Sequence, residues 1–174
     1  MVYRHRWIYQ PIDQPWARAW PQVLTDTARI LARTTDLGIS MCGPDGHGAP
    51  LLDPHRGIAF TGADGGPAQP LELAAPHGNP YPSPCGVPAP VTGTCPTGRR
   101  PYDVAVAAVL LRCHLLLDGA FLLSSDGSWD LEWLVGARVG QPGARPLVAA
   151  LFGDVPIRSP LGRPLAVDRG AAYA

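Results

Sequence analysis

PYDVAVAAVLLRCHLLLDGAFLLSSDGSWDLEWL, residues 101–134, is the stretch whose reading decides the fold. From Val104 to Leu117 nearly every side chain is apolar, and Arg112 and His114 are the strongly polar ones. A helix that is apolar on most of its circumference must be covered on most sides, so this is read as a central core helix. The run falls short of the ~20 residues a membrane span needs and carries Arg112 near its middle, so a membrane span is rejected. Asp103 is placed to cap the free amides at the start of the helix, and Asp118-Gly119 supplies its stop. Beyond it, Ala120 to Ser124 reads as a strand and Asp126-Gly127 as a turn. Trp129 to Val139 reads as a short helix with Leu131, Leu134 and Val135 on one side, and a further short helix is expected from Arg145 to Phe152.

Upstream, residues 2–10 alternate, with Tyr3, His5, Trp7 and Tyr9 on one face and Arg4, Arg6 and Gln10 among those on the other, the period of a strand. Trp16, Trp20, Val23, Leu24, Thr27, Ile30 and Leu31 then recur at three- and four-residue spacing as far as Arg33. This is an amphipathic helix opened by Pro15 and complicated by Pro21. Leu37-Gly38 ends it, Ile39 to Cys42 reads as a short strand, and Gly43-Pro44-Asp45-Gly46 is a strong turn signal. A hairpin is expected there, returning through Leu51-Leu52 and Gly57 to Thr61, with Leu71 and Leu73 on an edge strand. Residues 75–101 are dense in proline and glycine and read as one long insertion loop. The sum is an α+β chain, one domain over residues 1–153. A small antiparallel sheet packs against a central buried helix and an N-terminal amphipathic helix, with a peripheral arm or tail at 154–174.

The 174 residues carry no net charge; 46% are hydrophobic and 16% charged, the balance of a folded chain. Without a positive field to collect a phosphate backbone, nucleic acid is not favoured; a weak binder would have to use Arg4, Arg6, Arg99 and Arg100. All fourteen basic residues are arginine, alongside 20 glycines and 21 prolines, which reads as the coding bias of a GC-rich bacterial genome. The opening MVYRHRWIYQ has no apolar central run and no small-residue cleavage site, so a cytoplasmic location is expected. In that compartment the cysteines are expected as free thiols.

The sharpest chemical constellation is Asp45 and His47 followed by Asp53 and His55, two Asp-x-His pairs around the presumed hairpin. If the hairpin closed, four ligands suited to zinc or another divalent metal would converge, as in a metal-binding domain or metal-dependent hydrolase. Turn chemistry explains the same aspartates and glycines without a metal. Cys85 and Cys95, with His77 nearby, lack the close pairing of structural zinc sites. Ser124-Ser125-Asp126-Gly127 lacks the glycine elbow of a nucleophilic serine, His114 has only Asp118 at helical spacing, and the glycine-rich Thr61 to Gly66 lacks the lysine of a phosphate loop. No cofactor is called for outside the metal alternative. The expectation is therefore a non-enzymatic bacterial accessory or interaction protein. It would bind a protein partner or self-associate through aromatic and proline-rich surfaces, since exposed tryptophan and tyrosine make good anchors.

Overall fold

A computed structural model describes residues 2–12, 14–64, 69–76, 90–153 and 156–162. In chain order the elements are β1 (His5–Tyr9), α1 (Gln14–Asp36), β2 (Met41–Cys42), β3 (Leu51–Asp53), β4 (Gly57–Gly62), β5 (Leu71–Leu73), β6 (Val91–Cys95), α2 (Asp103–Leu117), β7 (Leu122–Ser125), α3 (Glu132–Val135) and α4 (Ala144–Phe152). The class is α+β, with helices packed on antiparallel sheets.

α2 is the core helix its composition requires: every residue from Val104 to Leu111 is buried. Its arginine has a structural use. Arg112 Nε donates to Asp26 Oδ2 of α1 at 2.7 Å, Gln22 donates to the other oxygen at 2.8 Å, and the Arg112 guanidinium lies 4.4 Å from the Phe152 ring of α4. Asp26 is fully buried, so this ion pair ties three helices at one point. α1 runs unbroken through Pro21, burying Trp16, Trp20, Val23, Thr27, Ile30 and Leu31. Pro21 and Ala17 both lie on its exposed side, where the carbonyl left without an amide donor by the proline is open to solvent.

Among the described residues there are two sheets, not one. β6-β1-β7 forms a three-stranded sheet, with His5 opposite Cys95 and Ser125, and Trp7 opposite Gly93 and Leu123. The second has β4 paired with β2, β3 and β5. The expected return through Gly57 to Thr61 is made, since β2 pairs antiparallel with β4, but the tight return across 43–46 into Leu51-Leu52 is not. β2 and β3 are both antiparallel to β4, so they run in the same direction, and residues 43–50 are an excursion closed by the Gly43 amide on the His47 and Gly48 carbonyls. The hairpin is instead β3–β4, turning between Asp53 and Gly57.

The stretch 75–101 is likewise not all loop, because Val91–Cys95 is an edge strand. Its alternation was hidden by Gly93 on the inward face. The Trp7 indole lies across that glycine, and a Cβ there would stand 2.1 Å from the ring. Residues 77–89, including His77 and Cys85, lie outside the described residues, as do 163–174 of the expected tail. Of that arm, Leu161 makes a parallel bridge to Leu123. No helix among the described residues is long and apolar enough to cross a membrane.

Candidate functional site

The four metal candidates flank β3. Asp45 and His47 sit exposed in the 43–50 excursion before β3, while Asp53 ends β3 and His55 lies in the turn after it. Asp53 Oδ1 accepts the amides of His55 at 2.8 Å and Arg56 at 2.9 Å, and these two bonds hold its carboxyl below the usual range. Among the described residues no three histidine, cysteine, aspartate or glutamate side chains stand close enough to hold a metal ion. Cys42, Cys95 and Cys113 are buried free thiols, and burial pushes Cys95 up to about 12. His114 pairs with a backbone carbonyl rather than with Asp118: its Nδ1–H donates to Phe121 O at 2.8 Å. The four arginines of the nucleic-acid reading all face carboxylates. Arg4 and Arg6 meet Asp126 at 3.8 and 2.9 Å, Arg99 meets Glu132 at 3.2 Å and Arg100 meets Asp64 at 3.6 Å.

The aromatic anchors face inward. All five tryptophans are buried, as are Tyr3, Tyr9 and Tyr102, so among the described residues exposed aromatic rings do not make a contact surface.

The fold instead assembles a polar cluster that local sequence signals did not reveal. His5 is fully buried, and its Nε2 stands 2.9 Å from Asp103 Oδ1, the same oxygen that receives the Thr97 hydroxyl. Asp103 therefore does not cap α2; Tyr102 holds the cap position with no side-chain bond, and the carboxylate reaches across to β1. Ser125 lies opposite His5 in the ladder, which brings serine, histidine and aspartate into one neighbourhood. The serine is engaged elsewhere. Its Oγ accepts the Gly127 amide at 2.9 Å and Trp133 Nε1–H at 3.2 Å, leaving its hydrogen for the Tyr3 hydroxyl. The adjoining gap, lined by Tyr3, Asp103, Glu132 and Trp133, offers about 10 Å³, room for roughly one water.

This cluster seats α3. The Trp133 ring stands edge-on to His5 at 5.4 Å and tilted against Trp129 at 5.8 Å. Glu132 Oε2 accepts the Ser128 amide at 2.8 Å and Oε1 meets Arg99. Burial works to raise that carboxyl, but the backbone amides and Arg99 outweigh it and hold it below its usual range. Arg145 closes the base, with its guanidinium 4.4 Å from the Trp129 ring and Nη1 bonded to the Trp129 carbonyl at 3.1 Å and to Asp130 at 3.0 Å. Gly143 passes so close beneath α3 that a Cβ there would stand 2.3 Å from the Trp133 carbonyl.

On a helix Leu131, Leu134 and Val135 share one side and Trp133 takes the opposite one. Trp133 is the side that is buried. Leu131, Leu134 and Val135 are 58%, 43% and 56% exposed, and Val139 beyond them is fully exposed. An apolar stripe that sequence reading places on one side of a helix thus faces solvent, on a rigid support. Comparison with protein-family models, with curated proteins and with solved structures finds no match to this chain.

Proposed function

We propose that this chain is a non-enzymatic protein-interaction domain that docks its partner on the α3 platform. The observation that carries the reading is the outward side of α3, where Leu131, Leu134 and Val135 lie exposed opposite the buried Trp133, with exposed Val139 following in the chain. Exposed apolar side chains gathered in one place, rather than scattered, mark contact sites. Covering each of these four side chains contributes about 1–2 kcal/mol. Association itself costs about 4–15 kcal/mol, so the stripe acts as the centre of a larger contact. Because the cluster beneath fixes α3, little ordering cost falls on binding.

The test is affinity capture from source-cell lysate with the wild-type chain and a Leu134→Asp variant. The reading expects a protein retained by the first and lost by the second; an identical captured set would count against it. The metal alternative has its own check in elemental analysis of purified protein. Near-stoichiometric zinc that disappears in a His47→Ala/His55→Ala double variant would displace the interaction reading.

A further inference from the structure

We infer that the outer edge of β6 binds peptide: it takes an extended chain as an added strand and sets a basic residue of that chain against Glu72. The placement follows from the ladder. An antiparallel strand turns successive residues to its two neighbours in alternation. Arg4 O accepts the Asp126 amide on the β7 side, so Arg6 and Ile8 also turn to β7, while His5, Trp7 and Tyr9 turn to Cys95, Gly93 and Val91. The N–H and C=O groups of Thr92 and Thr94 therefore point away from β1. β6 ends its sheet, both threonines are exposed, and no described strand pairs with that edge. The two residues stand about 6.8 Å apart, the repeat at which a neighbouring strand offers its own donors and acceptors. Val91–Cys95 carries neither a charged side chain nor a proline, the usual guards of an exposed edge.

The space beside the edge suits such a guest. A hollow of about 320 Å³ is lined by Thr92, Gly93 and Thr94 of β6 and by Pro70, Glu72 and Ala74 on and beside β5. That volume falls at the lower end of the ~300–1,000 Å³ of ligand sites. Glu72 is exposed and enters no ion pair with a described residue, and no described basic residue lines the hollow. An uncompensated carboxylate selects a guest with lysine or arginine over an acidic one. In strand addition the main-chain bonds supply affinity and such side-chain contacts supply the choice of partner. The inference adds a second contact to the interaction reading and does not depend on the α3 platform.

The test is NMR titration of the isotope-labelled full chain with two end-blocked peptides, Thr-Val-Arg-Val-Thr and Thr-Val-Glu-Val-Thr, up to about 5 mM, which covers millimolar recognition. The expected result is a saturable shift of the Thr92 and Thr94 amides by the arginine peptide, with the glutamate peptide weaker. Glu72→Gln is expected to weaken the arginine peptide about two- to fivefold. Thr92→Pro removes an outward N–H without touching a bond to β1, so it is expected to fold, as a circular dichroism melt verifies, and to lose the shift at Thr94. An arginine peptide methylated on its backbone nitrogens makes the same test on the wild-type chain and is expected not to bind. Thr92 and Thr94 amides that neither peptide moves overturn the inference. Equal binding of the two peptides, or binding untouched by Thr92→Pro and by methylation, overturns it as well. Shifts of the same amides on concentrating the chain alone would make the guest a second copy and count against the peptide assignment.

Discussion

Ser124 and Ser125 are neighbours on β7, yet their hydroxyls stand in opposite circumstances, and replacing each by alanine separates hydrogen-bonding cost from mere burial. Ser125→Ala removes the acceptor shared by the Gly127 amide and Trp133 Nε1 and the donor to the Tyr3 hydroxyl. An N–H left unpaired in a buried setting costs about 1–3 kcal/mol, so losing these bonds amounts to about 2–4 kcal/mol. In a chain of this size each kcal/mol moves the melting temperature by about 2–4 °C, giving a fall of about 4–16 °C. Ser124 is buried to 1% exposure and its Oγ has no hydrogen-bond partner among the described residues. Ser124→Ala removes a hydroxyl that is desolvated without compensation, so stability is expected to stay level or rise by up to about 1 kcal/mol. Urea titration with matched slopes measures both differences. Equal losses at the two positions, or a larger loss at Ser124, would refute the assignment of Ser125 as the tie beneath α3.

Gly93→Ala, although conservative in composition, drives a methyl into the Trp7 indole and is expected to cost about 1–3 kcal/mol by overpacking; a melt within 1 °C of wild type would contradict the close approach. Arg112→Leu strands the fully buried Asp26 carboxylate and is expected to cost about 3–5 kcal/mol, most of it recovered in the Asp26→Leu/Arg112→Leu double variant. A double variant no better than the single would sink that account. Burial raises the phenol pKa of Tyr3, Tyr9 and Tyr102 above the ordinary value of about 10. The unfolded chain then ionises first. The stabilisation is therefore intact below about pH 10 and drains away as the pH climbs past it. A urea midpoint that stays flat from about pH 9.5 to 11.5 would show that these phenols titrate alike in both states.

Much of the fold was legible because its strongest signals are local. The apolar run of α2, its Asp118-Gly119 stop and the spacing of α1 each follow from residues adjacent in sequence, and the alternation of Tyr3, His5, Trp7 and Tyr9 marked the buried face of β1. What escaped depends on partners distant in the chain. β6 could not be read from VTGTC because its inward position is a glycine whose space is filled by Trp7. Asp103 has the right place for a cap, but His5 lies 98 residues away and no local pattern announces it. At 131–135 the periodicity was visible and the side that faces the core was not. Trp133, a single large side chain, outcompetes three aliphatic ones for the interior because it brings both bulk and an N–H for which Ser125 provides the acceptor. The turn at 43–46 was recognised as a turn, but β2 and β3 take β4 as their common partner, a pairing that the turn signal alone does not show.

The most direct test of the claim that the α3 platform is a contact surface is site-specific photo-cross-linking, which suits a chain without lysine. A benzophenone amino acid replaces Val135 in one sample and Arg33, exposed on α1, in another. The account expects a discrete protein adduct from position 135, a covalent dimer included, and none from position 33. Absence of an adduct at 135, or equal adducts at both positions, would contradict it.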